Sequence, residues 1–215
     1  MNQNSWLYEV EDFRADMEDH VNEMDSQYGL SFSSSEEVLN YVKEYKVSSI
    51  RIWFTDMIGF LKSFSITPKE LSSAFSEGMG FDGSSIQGYR RIHESDMVAF
   101  PIASTAQVLP FRPGGSKSMR MFAKICTPDG APYQSCPRVI LSQSLKRLSD
   151  HGFSHMNIGP EAEFFYFKDN SGPTLLDQAG YFDINPTDVG DDIREATVFA
   201  LESMGVPVEY HHSEV

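Results

Sequence analysis

The sequence predicts an α+β fold in two units, and three observations carry that prediction. Apolar residues alternate from Ile50 to Phe54 and resume at Phe60, Phe64 and Ile66, the period of two that paired strands require. Helix-start signals stand on either side of that hairpin, at Ser34 to Glu37 and at Thr67-Pro68-Lys69-Glu70. A second set of helices and strands follows the turn sequence Thr127-Pro128-Asp129-Gly130. The chain has 215 residues, 40% hydrophobic and 13% aromatic, which is enough apolar surface for a real core.

Residues 1–33 form an acidic extension. Trp6, Val10, Phe13, Met17, Val21 and Met24 recur at steps of three and four, as one face of a helix does. The other face carries Glu9, Glu11, Asp12, Asp16, Glu18, Asp19, Glu23 and Asp25 against Arg14 alone. A charge run of this kind is ordinarily a solvated face.

The first folded unit spans 34–130. Val38, Leu39, Val42 and Tyr45 make the inward stripe of its first helix. The hairpin turns at Thr55 to Gly59, and Pro68 sits at the first helical position, where its missing N–H costs nothing. Gly78 closes that second helix. Strand-like runs follow at Val98 to Phe100, Gln107 to Pro110 and Met119 to Ile125.

The second unit spans 131–215. Pro137 opens a helix with Ile140, Leu141, Ser144, Leu145 and Leu148 on one side, closed by Gly152. A strand from Ile158 to Lys168, a helix from Asp191 to Met204 and a strand from Val206 to His212 complete it.

A formal charge of −14 repels a phosphate backbone and leaves no basic stripe for nucleic acid or anionic lipid. Such a protein still binds a nucleotide whose phosphates are neutralised by divalent cations. Two cysteines, Cys126 and Cys136, are too few for a disulfide framework or a zinc site. The N-terminus lacks the basic and apolar regions of a signal peptide, and no run approaches the ~18 apolar residues of a membrane span. The expected location is the cytoplasm.

The chemistry concentrates in Gly159-Pro160-Glu161-Ala162-Glu163-Phe164-Phe165-Tyr166-Phe167. An aromatic run with no polar face suggests a strand buried on both sides. On such a strand Glu161 and Glu163 point the same way, ~6–7 Å apart. Two buried like charges need a counter-cation, and hard divalent ions prefer oxygen ligands. The plainer alternative is that both face solvent or pair with arginines. Glu209-Tyr210-His211-His212-Ser213-Glu214 brings further carboxylates, with His212 and Glu214 on one strand face. Upstream, glycines flank Asp82 in Gly80-Phe81-Asp82-Gly83-Ser84-Ser85, which presents the aspartate at a site or leaves it in an Asx-turn with its own backbone.

Five motifs in order resemble type I glutamine synthetase. They are Phe54-Thr55-Asp56 with Gly59, Phe81-Asp82-Gly83-Ser84-Ser85-Ile86, Glu94-Ser95-Asp96-Met97, Gly159-Pro160-Glu161-Ala162-Glu163-Phe164-Phe165, and the histidine-glutamate end. The resemblance covers residues 36–215. It implies a β-grasp-like N-terminal domain followed by the start of a catalytic domain built on a curved antiparallel sheet with helices. It also implies subunit rings with sites between neighbouring copies. By motif position Glu163 and Glu214 hold the cation nearer glutamate, Glu161 holds the cation nearer the ATP phosphates, and Glu209 contacts ATP. Asp82 is lent to a neighbour's site to take a proton from ammonium, and Arg91 falls on an arginine linked to feedback by glutamine. The cofactors implied are Mg2+ or Mn2+, more than one ion per complete site, with ATP as co-substrate alongside L-glutamate and ammonia. The reaction implied is attack of the glutamate side-chain carboxylate on the γ-phosphate, then displacement of that phosphate by ammonia.

The acidic extension before residue 34 departs from the family pattern, and so do two further features. Ser213 stands where a third histidine is common, and of the expected metal ligands only Glu161, Glu163 and Glu214 fall within the 215 residues. The chain by itself is therefore expected to be inactive. Three functions stay open on the sequence: a glutamate–ammonia ligase, a short non-catalytic product that binds or modulates a full-length synthetase, and a ligase joining glutamate to a larger amine.

Overall fold

The structure is a computed structural model and describes residues 29–86, 96–110 and 117–214. The helix expected in residues 1–28 lies outside the described residues, as does Arg91. The described chain forms two compact units, one of residues 30–109 and 117–157 and the other of residues 158–214 with Gly29 and Pro110.

Helix α1 (Ser35–Glu44) starts at Ser34, whose hydroxyl accepts from the Glu37 N–H at 3.2 Å. The Glu37 carboxylate reaches back to the Ser33 N–H at 2.7 Å, one residue earlier than a standard capping box. Val38 and Val42 are buried, whereas Tyr45 is exposed at the C-cap, so the inward stripe is narrower than the sequence suggested. The helix ends through Lys46 at φ 53, with the Val47 N–H bonded to the Val42 carbonyl at 3.0 Å, a Schellman closure without glycine.

Strands β1 (Ser49–Thr55) and β2 (Leu61–Ile66) form the expected antiparallel hairpin. Strands β3 (Met79–Asp82), β4 (Asp96–Pro101), β5 (Gln107–Val108) and β6 (Ser118–Cys126) complete a mixed sheet in the order β2-β1-β6-β4-β3, with β5 also paired to β6. The β1–β6 pair is parallel and the others are antiparallel. Ile50 and Ile52 of β1 and Met119, Met121 and Ile125 of β6 are wholly buried on one face. The sheet curls until Phe81 of β3 meets Phe54 of β1 and Phe64 of β2, with ring centroids 5.2 and 6.3 Å apart.

Between β2 and β3, Pro68–Glu70 is a single 3-10 turn and helix α2 covers only Leu71–Ser76. Thr67 makes no side-chain capping bond, so the second capping box does not form; its carbonyl instead accepts the Glu70 N–H in the tighter 3-10 pattern. Gly78 ends α2 at φ +74. A Cβ there would lie 2.4 Å from the Val98 Cγ1 of β4, so only glycine fits.

After β6 the chain turns at Thr127 to Gly130, pairs back through Cys126 and Pro132, and enters helix α3 (Pro137–Asp150). Of α3 only Val139 is buried, and Ile140, Leu141 and Leu145, on the one side read from their spacing, are exposed.

In the second unit helix α4 (Asp191–Ser203) forms where expected and buries Ala196 and Ala200. Residues 158–166 and 206–214 carry no regular secondary structure, in place of the two expected strands. Among the described residues of this unit, β-pairing is confined to the Phe167–Leu175 bridge, flanked by Lys168 to Thr174 and Leu176 to Tyr166 bonds at 2.9 Å. A strand needs a neighbour for its N–H and C=O groups, and no second strand lies beside either segment among the described residues. Phe164 and Phe165 are consequently 57% and 69% exposed, not buried on both sides. No helix among the described residues is long and apolar enough to cross a membrane.

Candidate functional site

Asp82 ends β3 and caps the 3-10 turn Gly83–Ser85. One carboxylate oxygen accepts from the Ser84 N–H at 2.9 Å and from the Ser84 hydroxyl at 2.6 Å, and the other accepts from the Ser85 hydroxyl at 3.1 Å. This is the Asx-turn alternative, and it leaves the carboxylate at the surface opposite Asp96 of β4. Neither Gly80 nor Gly83 is among the positive-φ glycines, so the special conformations expected of them are not used. What fixes Asp82 is Phe81 beside it, packed into the Phe54–Phe64 pair.

Asp56 of the first motif has a structural task. It is wholly buried in the β1–β2 turn, where one oxygen accepts from the N–H groups of Ile58 at 3.1 Å and Phe60 at 2.9 Å. Lys62 Nζ stands 3.2 Å from the other. Burial favours the neutral acid, yet the bonds from Phe60, Lys62 and Ile58 outweigh it and hold the carboxyl below its ordinary pKa. Gly59 at φ +92 closes the turn.

Glu161, Glu163, Glu209 and Glu214 are all exposed, on two segments of the second unit that form neither helix nor strand. Their donors are all carboxylate oxygens, which suits a hard divalent cation. Among the described residues, however, no three His, Cys, Asp or Glu side chains stand close enough together to hold a metal ion. The site as described supplies donors of the right kind without an assembled cage.

Sequence reasoning missed the group that organises this unit. Asp188, 2% exposed, accepts from the Gly190 N–H and from Arg194 Nη1, each at 3.1 Å, and its second oxygen takes a short bond from Nη2. Arg194 Nη2 also reaches Asp191 at 3.0 Å, and Nε donates to His211 Nδ1 at 3.4 Å. The Arg194 bond holds the Asp188 carboxyl below its usual pKa against the opposing effect of burial. Beside them burial pushes the Tyr166 phenol up, while its bond to Thr197 and the Arg194 charge act the other way. The available signal was an acid just before a helix start and an arginine in its first turn.

Two family models match consecutively, the glutamine synthetase β-grasp domain over residues 46–128 and the glutamine synthetase catalytic domain over 134–215. This chain belongs to the glutamine synthetase family. The glutamine synthetase of Methanosarcina mazei is 46% identical over 187 residues, which is 85% of this chain and 42% of that protein. That of Mycobacterium tuberculosis is 46% identical over 185 residues, 83% of this chain and 41% of its own length. The chain thus spans about two-fifths of the relatives it matches. The cryo-EM structure of Plasmodium falciparum glutamine synthetase shares the fold, with a TM-score of 0.69 and 21% identity over 87% of this chain and 43% of that one. Asp82 falls in the β-grasp match, and the four glutamates fall in the catalytic one.

Proposed function

We propose that the protein carrying this sequence is an ATP-dependent glutamate–ammonia ligase. The observation that supports this is the consecutive match of both glutamine synthetase domains, with 46% identity to synthetases across most of the chain. In the assembled enzyme Glu161, Glu163 and Glu214 are the ligands for Mg2+ or Mn2+, and Glu209 contacts the nucleotide. The cations, when bound, supply positive charge for the phosphate oxygens during transfer. Phosphorylation converts a poor leaving oxygen of the glutamate side chain into a good one. Asp82, lent to a neighbouring copy, accepts a proton from ammonium so that ammonia attacks. Arg91 belongs to feedback by glutamine. The partners are L-glutamate, ammonia, ATP and further copies of the subunit, in the cytoplasm, with the domain boundary near residue 130.

A second reading applies to the 215-residue chain by itself. Its exposed Phe164, Phe165 and Phe167 favour non-catalytic association with another synthetase subunit. Phosphate release by the full-length protein, with glutamate and ATP and either ammonia or a diamine, tests the ligase function. Turnover with ammonia supports it, whereas turnover with the diamine alone assigns the protein to amine-using relatives.

A further inference from the structure

Ile50, Ile52, Met119 and Met121 turn into the core, so the residues between them stand on the opposite face of the sheet. There the parallel β1–β6 register sets Arg51 beside Arg120 and Trp53 beside Phe122, all four half-buried. The two rings meet edge to face at 5.9 Å, and the Arg120 guanidinium lies over both, 5.6 Å from Trp53 and 5.1 Å from Phe122. Arg138, in the first turn of α3, also lies over Phe122, at 5.6 Å. An apolar groove of about 210 Å3 opens beside them, lined by Thr55, Phe122, Pro137 and Leu141 among others. On β2 the residues of the same face, Ser63 and Ser65, are exposed.

This surface carries positive charge in a chain of net charge −14. Among the described residues no carboxylate lies within ion-pair distance of Arg51, Arg120 or Arg138. The Nε atoms of Arg51 and Arg120 are buried without an acceptor, and Arg120 gives only Nη1, to the Thr105 carbonyl. Partly buried cations without a counter-charge suit an acidic partner.

The chain before α1 arrives at this same face. Gln107 of β5 is the register partner of Arg120 on the side away from β1, so the two side chains share a face. The Gln107 side chain holds Leu30 by both backbone groups, accepting from its N–H at 3.0 Å and donating to its carbonyl. Arg120 and Arg51 follow one and two strands away, ~5 and ~10 Å at the ordinary strand spacing. The five residues from Leu30 back to Asp25 can span roughly 17 Å, enough to reach both. In the helix predicted from their spacing, Trp6, Val10, Phe13, Met17, Val21 and Met24 make one stripe, bordered by Glu9 and Asp16 on one side and Glu18 and Asp25 on the other. An apolar stripe edged by carboxylates complements an aromatic pair edged by arginines.

We propose that this outer face of the sheet is the docking surface for the chain's own acidic extension, residues 6–25. The apolar stripe covers Trp53 and Phe122, and the bordering carboxylates pair with Arg51, Arg120 and Arg138. The inference is independent of the ligase function.

The test uses the full-length protein and reads two quantities: hydrogen exchange in residues 6–25, and oxidation of Trp53 and Phe122 by hydroxyl radicals, located by mass spectrometry. Arg51→Glu/Arg138→Glu and Asp16→Lys/Asp25→Lys each set like charges against one another. Each pair is expected to speed exchange in 6–25 by about tenfold or more and to raise Trp53 oxidation severalfold. Combining all four substitutions restores opposite charges and is expected to return exchange to within about threefold of wild type. Asp16→Lys/Asp25→Lys leaves the sheet untouched, so it decides the matter even where the arginine variant fails to fold. Exchange in wild-type 6–25 as fast as in a free peptide overturns the proposal, as does protection that neither pair of substitutions changes. A combined variant no better protected than its parents overturns it also. Protection that disappears on dilution overturns docking within one chain and assigns the surface to the extension of a second copy.

Discussion

Arg194 meets the buried carboxylate of Asp188 with both Nη atoms, at 3.1 Å from Nη1, and the two side chains are only 13% and 3% exposed. Removing one member of such a pair strands the other charge away from water. Asp188→Ala is therefore expected to destabilise the second unit by about 3–5 kcal/mol. Urea unfolding followed by hydrogen exchange in α4 measures this loss, and a value below about 1 kcal/mol would place the pair in the weak class of exposed bridges.

Asp188 and Asp56 also set the acid limit of stability. Hydrogen bonds from Arg194 lower the pKa of the first; at the second, burial is outweighed by the bonds from Phe60, Lys62 and Ile58. A carboxyl whose folded pKa is depressed stabilises fully above its unfolded value of about 3.9, and the contribution is lost as pH falls through the folded value. Stability is expected to be flat from neutrality to about pH 5 and to fall below about pH 4. Asp188→Asn and Asp56→Asn are each expected to start lower and decline less steeply in a series of urea titrations.

The helix ends of the first unit separate three outcomes. Ser34→Ala removes a capping bond and is expected to cost about 1 kcal/mol. Thr67→Ala, at the capping box that does not form, is expected to cost within about 0.5 kcal/mol. Lys46→Gly relieves the left-handed backbone at φ 53 and is expected to stabilise by about 0.5–1 kcal/mol. Denaturation followed by the fluorescence of Trp53 in β1 compares all three.

Two glycines share a positive φ but differ in surroundings. Gly130→Ala, with open space around a new Cβ, is expected to cost about 1–2 kcal/mol of left-handed strain. Gly78→Ala adds the 2.4 Å approach to Val98, for roughly 2–5 kcal/mol in all. The same titration ranks them, and equal costs would mean that β4 yields freely beside α2.

The first unit was legible because its strands alternate and find partners within reach. Ile50, Ile52 and Phe54 point inward as their spacing implied, and β1 to β6 supply one another's hydrogen bonds. Parallel pairing of β1 with β6 was not legible, since alternation does not encode direction. The run from Ile158 to Lys168 reads as a doubly buried strand, but strand identity depends on a neighbour that the run itself does not specify. The same dependence explains the site. Glu161 and Glu163 were singled out for their chemistry, while the spacing expected of them rested on a ladder absent among the described residues. Asp188 and Arg194 were missed because a lone acid and a lone arginine six positions apart acquire meaning only when a helix start brings them together.

Glutamine formation by the full-length protein and its Glu163→Gln variant is the most direct measurement, made with glutamate, ammonia, ATP and Mg2+ and accompanied by Mn2+ titration of each. The wild type is expected to release phosphate and form glutamine in equal amounts. Glu163→Gln, which keeps shape and loses charge, is expected to lose about two orders of magnitude or more in Mn2+ affinity or kcat/KM while melting at nearly the same temperature. A variant that binds Mn2+ and makes glutamine like the wild type would contradict the metal role of Glu163, and a wild type that makes no glutamine would contradict the ligase function itself.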